Sequence, residues 1–338
     1  MQIPPTLLPV RAIQPGKTLS DRFMLKYTDM RSYAFGIDIG GTAVKLGFFN
    51  GQGELIERWQ IPTRLQDHGA YILSDIAASA ENFLTARSMT WDDVNGIGVA
   101  VPGPVLNGAF VPLAVNLGWK NYDVKEKMRK LTCISSVHIE NDAKAAALGE
   151  YWKGGWEAYH SAVMITLGTA VGGAVILDGK PVAGAFGAAG ELSHIQVKAD
   201  ETEPCACGKY GHLQQYVSTE AIIRNYSKKT GGRERTVKEI FDAAQAGDKP
   251  ALETVDEAVR MLGRAMATVS CVIDPELYLI GGGISKAGDF LLNKLRTEFR
   301  QLALAISENA RIEAAKTGSD AGIFGAVRPV ISMSRNLF

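Results

Sequence analysis

The sequence predicts an α/β fold of two lobes with a cleft between them. The chain has 338 residues, which exceeds the length of a single typical domain. Predicted strands alternate with helices, as in layered α/β proteins. A pattern of strand, glycine turn and strand occurs twice, at 33–49 and 162–177, and both copies contain Gly-Thr-Ala-Val. We interpret this repeat as an internal duplication in which each lobe contributes one glycine hairpin to the cleft.

The remaining elements follow in order along the chain. Residues 94–104 read as a buried strand that ends in a Pro-Gly turn, and 137–140 as a strand leading into Asn141, a candidate N-cap for a helix at 143–150. Periodicity predicts further helices near 73–86, 220–230, 237–246 and 251–272, a strand at 277–280 and a last helix at 320–334. We expect the first lobe at 33–147 together with 320–338, and the second at 148–319.

Composition and charge argue against several classes of protein. The chain carries 36 basic and 36 acidic side chains, so no global field favours a nucleic acid or an anionic membrane as partner. Its apolar runs are interrupted before they reach the length of a membrane-spanning helix. Residues 1–32 are rich in proline and lack the patterns of a signal peptide and of a DNA-reading helix pair. We interpret them as an N-terminal extension and expect a cytoplasmic protein.

Three glycine clusters follow predicted strands and suggest a phosphate site. They are Gly40-Gly41-Thr42, Gly168-Thr169 and Gly281-Gly282-Gly283. Backbone N–H groups can converge on phosphate oxygens only where no Cβ blocks the approach. One such cluster is more often a tight hairpin, but three in a duplicated chain favour a nucleotide. Asp38 is a candidate Mg²⁺ ligand, Thr42 a phosphate donor, and the third cluster would present a helix N-terminus.

Together, seven motifs resemble the ROK family of bacterial sugar kinases and related repressors. They span 33–330 in family order: Asp38-Ile39-Gly40-Gly41-Thr42-x-x-Lys45, Pro102-Gly103-Pro104, Asn116-Leu117-Gly118-Trp119, Glu140-Asn141-Asp142-Ala143, Gly190-Glu191-x-x-His194, Cys205-x-Cys207-Gly208-x-x-Gly211 and Gly281-Gly282-Gly283-Ile284-Ser285. The resemblance implies a two-lobed actin-like ATPase fold of duplicated ribonuclease H-like lobes. It also implies ATP and Mg²⁺ as cofactors and a homodimer or homotetramer. Lys45 is also a predicted nucleotide-binding residue, in addition to Asp38 and the three glycine clusters.

The same resemblance implies roles for residues that in isolation would have ordinary explanations. Asn141-Asp142 alone would be a helix cap, but the resemblance makes Asp142 the base that accepts the proton of the sugar hydroxyl. The residues that it implies as sugar contacts are Gly103, Asn116, Asn141, Glu191 and His194. Gln214 stands where the family has a sugar-binding glutamate, so we count it with this group and expect altered affinity or preference.

The segment around Cys205 and Cys207, here called the cysteine loop, predicts a structural Zn²⁺ site. Cys205, Cys207, His194 and His212 provide four soft or borderline ligands within one segment, as a tetrahedral zinc site requires. Reduced loop cysteines are the alternative. In the family that the chain resembles the ligands are one histidine and three cysteines, so His212 replaces a cysteine. The other two cysteines, at positions 133 and 271, are expected in the core.

Three functions remain open. The leading one is a hexokinase-type enzyme acting on an aldohexose, glucose first, with N-acetylmannosamine, allose or fructose as alternatives. The others are a sugar-responsive transcriptional regulator and a sugar sensor without catalysis. The sensor is suggested by Gln214 and by Ala170, whose Cβ would cost on the order of 1 kcal/mol if its turn required a positive φ. Ser193 and Lys144 also depart from the family pattern, replacing a glycine and an asparagine.

Overall fold

Residues 33–335 form twelve strands and ten α-helices. The computed structural model describes residues 33–335, with side chains to 331, so the predicted extension at 1–32 and residues 336–338 lie outside the described part. The strands are β1 (Tyr33–Ile39), β2 (Ala43–Asn50), β3 (Leu55–Pro62), β4 (Val94–Val101), β5 (Phe110–Ala114), β6 (Trp119–Asp123), β7 (Val137–Asn141), β8 (Ser161–Leu167), β9 (Val171–Leu177), β10 (Lys180–Pro181), β11 (Leu277–Gly281) and β12 (Arg311–Ala314). The helices are α1 (Gln66–Gly69), α2 (Ile72–Thr85), α3 (Val124–Thr132), α4 (Asp142–Lys153), α5 (Gln214–Val217), α6 (Thr219–Thr230), α7 (Val237–Gln245), α8 (Lys249–Ile273), α9 (Asp289–Leu302) and α10 (Ala321–Arg335).

Two five-stranded sheets have the same design. The first has the strand order β3-β2-β1-β4-β7 and the second the order β10-β9-β8-β11-β12. In each, three antiparallel strands are followed by two parallel ones. This correspondence confirms the duplicated α/β architecture predicted from the repeated glycine hairpin. The exact lobe bounds given above stay a prediction.

Burial explains the composition of the strands. The interior strand β4 is buried at nearly every position and is apolar except for Asn95, because elements cover both of its faces. The edge strand β3 is largely exposed, and its sequence is correspondingly polar. Each sheet thus has an apolar centre from which the connecting loops project.

Two helices each follow a strand of one sheet and pack against the other sheet. Helix α4 follows β7 of the first sheet but contacts β9 of the second, whereas α10 follows β12 of the second sheet and contacts β1 and β4 of the first. Where the two helices cross, a Cβ on Gly325 would lie 1.7 Å from the carbonyl oxygen of Ala145, and one on Gly149 would lie 2.0 Å from that of Ala321. The crossing therefore depends on glycine in both helices.

A fully buried carboxylate holds this crossing in place. Glu150 of α4 accepts hydrogen bonds from the backbone N–H of Lys316 at 2.8 Å and of Thr317 at 2.7 Å. It also accepts from the Trp156 indole N–H at 2.9 Å. Because these donors satisfy the carboxylate, its burial is tolerated and the segment entering α10 is tied to α4.

Local predictions are largely confirmed. The Asn141 side chain caps α4 by accepting from the backbone N–H of Lys144 at 3.1 Å. The predicted core positions of two cysteines are wrong, because Cys133 is the exposed left-handed C-cap of α3 and Cys271 is exposed near the end of α8.

Within residues 33–335, none of the helices combines the length and apolarity needed to cross a bilayer.

Candidate active site

The carboxyl ends of three parallel strands bring the first-lobe motifs together. Asp38 lies near the end of β1, and Val101 at the end of β4 pairs with Asn141 at the end of β7. The Asn141 amide donates to the carbonyl oxygen of Gly103 at 2.9 Å and to Asp142 Oδ1 at 3.1 Å. The Pro-Gly turn and the Asn-Asp pair therefore meet at one sheet edge, which is where ligands bind in open α/β sheets.

Asp142 occupies the first position of α4 and is partly buried. Burial raises the pKa of this carboxyl to about 6, although a 2.8 Å hydrogen bond from the Ala143 N–H opposes the shift. The negative charges of Asp38 and Glu191 raise it further. Three predicted site residues thus share one electrostatic neighbourhood, and a carboxylate of this pKa is suited to accept a proton near neutral pH.

Asp38 faces the start of the last helix. Burial raises the pKa of Asp38, and the cross-strand partner Lys45 acts against this shift. Lys45 also donates to the carbonyl oxygen of Ser319 at 2.6 Å. A Cβ on Gly322 would lie 2.5 Å from Asp38 Oδ2, so only glycine lets α10 approach the carboxylate this closely. The sequence analysis missed Gly322, because a glycine within a helix carries no local sign of a distant partner.

Two of the glycine clusters leave space that the protein itself does not fill. A Cβ on Gly41 or Gly283 would meet no heavy atom within 4 Å, so packing does not require glycine at either position. Gly282 has φ +84°, and a Cβ there would lie 2.3 Å from the carbonyl oxygen of Leu167. The third cluster is therefore packed against the turn between β8 and β9.

The turn between β8 and β9 is not strained at its alanine. The Gly168 N–H donates to the carbonyl oxygen of Ala170 at 3.0 Å, and the Gly168 carbonyl accepts from the Thr219 N–H at 2.8 Å. Ala170 is not among the described residues with positive φ. The backbone penalty considered for Ala170 is therefore absent, because the turn closes without a left-handed residue at that position.

The third glycine cluster, at 281–283, does not lead directly into the long helix that the sequence predicted. A short 3-10 helix, Ile284–Ala287, follows Gly283, and α9 begins only at Asp289. Gly288 separates the two with φ +59° and ψ −138°. The cluster thus adjoins a single 3-10 turn and not the N-terminus of a long helix, because this glycine interrupts the helical path.

The predicted sugar contacts lie on both sides of the strand ends. Asn116 lies exposed in a 3-10 turn after β5, and Glu191 lies exposed just before the 3-10 turn Leu192–His194. Gly103 has φ +91°, and a Cβ there would lie 2.4 Å from the carbonyl oxygen of Leu113 on β5. The Pro-Gly turn therefore packs against the strand that leads to Asn116.

Gln214 lies at the cysteine loop. Its amide donates to Cys205 Sγ at 2.8 Å. Burial acts to raise the pKa of the Cys205 thiol, but hydrogen bonds from the Cys207 backbone and from Gln214 outweigh it and leave the pKa below its ordinary value. In this conformation the amide supports a thiolate. The predicted contact between Gln214 and a sugar stays a prediction.

The four predicted metal ligands converge. One ligand atom each from His194, Cys205, Cys207 and His212 lies within 4.8 Å of the others. The two histidine Nδ1 atoms are 3.2 Å apart, and Cys207 Sγ is 3.3 Å from His212 Nδ1. Tetrahedral Zn²⁺ with Zn–N and Zn–S bonds of about 2.0–2.3 Å separates its ligand atoms by roughly 3.3–3.8 Å. The donor set therefore fits zinc, and the two short separations are close to this range, whereas the widest, up to 4.8 Å, would shorten when the metal binds.

Known proteins resemble the chain over most of its length. A family model described as ROK family matches residues 34–332. A glucokinase from Halalkalibacterium halodurans is 37% identical over 305 residues, covering 86% of this chain and 92% of that protein. A solved ROK family glucokinase from Streptomyces griseus, in complex with glucose and AMPPNP, is 30% identical with a TM-score of 0.70 and coverage of 90% and 99%. A putative xylose repressor from Caldicellulosiruptor is 27% identical over 311 residues, covering 88% and 77%.

Proposed function

The chain belongs to the ROK family, and on that premise we propose that it is an ATP-dependent sugar kinase that phosphorylates a hydroxyl of an aldohexose, glucose first. The observation that carries the proposal is the carboxylate of Asp142. It lies at the carboxyl ends of the first-lobe strands, and its pKa is raised to about 6. The relatives named as glucokinases, one of them bound to glucose and AMPPNP, support this class of substrate.

Asp142 acts as the general base. It accepts the proton of the attacking hydroxyl as that oxygen bonds to the γ-phosphorus. The bond between the γ-phosphorus and the β,γ-bridging oxygen breaks, and ADP leaves with that oxygen. Asn141 orients this carboxylate through the 3.1 Å hydrogen bond and holds the Pro-Gly turn with the same amide. Since both contacts come from a capped helix start, the base is fixed before substrate binds.

The nucleotide lies against the glycine turns. The open space above Gly41 and Gly283 lets phosphate oxygens approach backbone N–H groups. Thr42, Lys45 and the turn at 168–169 complete this cradle. Asp38 fits a role in holding Mg²⁺, because a cation would offset the cost of a buried carboxylate. When bound, Mg²⁺ neutralises charge on the transferred phosphoryl group.

The sugar lies between Gly103, Asn116 and Asn141 on one side and Glu191 and His194 on the other. Carboxylate, amide and imidazole groups provide the acceptors and donors that several hydroxyls require. Because His194 directs Nδ1 toward His212, its Nε2 is left for a hydroxyl. A zinc ion held by His194, Cys205, Cys207 and His212 would orient that ring, which gives the metal a structural role.

An ADP-release assay tests the proposal. The full chain is incubated with MgATP and a panel of glucose, N-acetylmannosamine, allose and fructose, with Asp142→Asn as the inactive control. We expect ADP release with glucose above the other sugars and a loss of at least about 100-fold in the variant, as is typical when a general base is removed. A variant that phosphorylates as fast as the parent overturns the assignment of the base.

The same assay separates the two alternatives. Sugar binding by calorimetry without ADP release would identify a sensor. The regulator alternative is supported by a relative named as a putative xylose repressor. It would require residues 1–32, which lie outside the described residues, to bind DNA. Sugar-dependent retention of the full chain on promoter DNA, together with no ADP release, would favour that alternative over the kinase.

A further inference from the structure

A buried lysine lies two residues after the candidate base. Lys144 is only 2% exposed, and its ammonium donates to the carbonyl oxygens of Gly187 at 2.7 Å and Ala183 at 3.3 Å. Both acceptors belong to the segment 182–191 that connects β10 to Glu191. The lysine thus connects the first turn of α4 to this loop.

This position is unfavourable for a cation unless the contacts compensate. The first turn of a helix carries the positive end of its dipole, which disfavours Lys144 there. Burial lowers the pKa of Lys144, whereas the charges of Glu140 and Glu191 act to raise it. A neutral asparagine or alanine would avoid both costs, so the two carbonyl contacts and the two acids account for the lysine at this site.

The loop that Lys144 holds has little rigidity of its own. Gly184, Gly187 and Gly190 all have positive φ, between +76° and +85°. The backbone hydrogen bonds within the loop are long: Gly187 N–H donates to the Gly184 carbonyl at 3.4 Å, Ala189 N–H to that of Ala183 at 3.2 Å and Glu191 N–H to that of Ala188 at 3.3 Å. Glycine-rich backbone of this kind loses much conformational freedom on ordering, so an external contact determines where it lies.

The loop also touches the first-lobe turn that lies beside the candidate sugar site. A Cβ on Gly187 would lie 2.9 Å from the carbonyl oxygen of Val105 and 3.4 Å from Pro104 Cβ. The neighbouring Phe186 is 83% exposed, so its side chain does not anchor the loop. Lys144 therefore seats Gly187 against the Pro-Gly turn that Asn141, three residues earlier in the chain, holds from the other side.

We propose that Lys144 is a positioning residue for sugar binding: its buried ammonium clamps the loop at 182–191 and thereby places Glu191 near Asp142. The inference rests on the proposed sugar kinase function and deepens it. The ammonium of Lys144 is bonded to the carbonyls of Ala183 and Gly187, on the loop that leads to Glu191, so its effect should fall on the sugar and not on the nucleotide. Since its two bonds are charge-assisted, their loss affects loop order strongly.

The variant Lys144→Met tests the clamp, because methionine keeps much of the volume but has no N–H donor. We expect the sugar KM to rise roughly ten-fold or more, with the KM for MgATP within about three-fold of the parent. Hydrogen exchange of the full chain without ligands should become faster at 183–191. Lys153→Met is the matched control, since Lys153 is an exposed lysine at the other end of the same helix, and it should change neither quantity.

Two results would overturn the clamp: an unchanged sugar KM, or unchanged exchange at 183–191 in a folded variant. An equal rise in both KM values would point to general damage and would also count against it. Should Lys144→Met not fold, Lys144→Gln carries the same expectations, since its shorter amide cannot reach both carbonyls. An inactive parent would refute the kinase function, and the exchange measurement would still decide whether the lysine orders the loop.

Discussion

The pH dependence of catalysis follows directly from the environment of Asp142. Only the ionised carboxylate can accept the proton of the sugar hydroxyl, and burial raises the pKa of this group to about 6. The ionised fraction is then about nine tenths at pH 7, one half at pH 6 and one eleventh at pH 5. An aspartate with the ordinary pKa of 3.8 would still be more than about nine tenths ionised at pH 5. The rate should therefore fall about five-fold between pH 6 and pH 5 and about ten-fold per pH unit below that.

The assay is kcat/KM for glucose at saturating MgATP between pH 4.5 and 8.5, with ADP measured after quenching. Circular dichroism at each pH identifies any unfolding. Asp178→Asn is the matched control, because that side chain is 86% exposed and lies outside the candidate site. The control should reproduce the parent profile. A profile that stays flat to pH 5, or that breaks near pH 4, would show that Asp142 is not the group whose ionisation limits the rate.

The same shift has a consequence for stability. Because the folded-state pKa of Asp142 lies above the unfolded value, the folded protein binds the extra proton between about pH 4 and 6, and stability falls as the pH rises through this window. A shift of about two units corresponds to an upper limit of about 3 kcal/mol. We therefore expect Asp142→Asn to unfold at a higher urea concentration than the parent at pH 7.5, with little difference at pH 4. Equal differences at both pH values would contradict the raised pKa.

Three further predictions concern the helix crossing and the metal. Gly325→Ala should lower the free energy of unfolding, measured in urea, by about 3 kcal/mol, because its Cβ would lie 1.7 Å from the Ala145 carbonyl oxygen. A variant as stable as the parent would show that the two helices can move apart at no cost. Glu150→Ala should cost roughly 3–5 kcal/mol in the same measurement, since it leaves buried donors unpaired; a loss below about 1 kcal/mol would indicate that water replaces the carboxylate. Metal analysis should find about one zinc per chain, and Cys205→Ala should reduce that content and speed proteolysis of the loop at 200–213; an unchanged zinc content would exclude this thiol as a ligand.

Most secondary structure was predictable because its signals are local. The strand and turn pattern at 33–49 needs only two apolar runs with a glycine turn between them, and the cap at Asn141 needs only its own helix start. The metal ligands were also accessible, since Cys205, Cys207 and His212 lie within eight residues. The two cysteines at 133 and 271 were misplaced because an apolar neighbourhood in sequence does not determine which face of a helix end is buried.

What the sequence determined by itself is the set of chemical groups and the elements that present them: a duplicated strand-turn-strand framework, a carboxylate at the start of a helix and a segment of zinc-type ligands. Tertiary structure alone decided which groups meet. Gly322 against Asp38, Glu150 against Thr317 and Lys144 against Gly187 join positions far apart in the chain. Such contacts leave no periodic or local signal, because they depend on how α4 and α10 cross between the sheets.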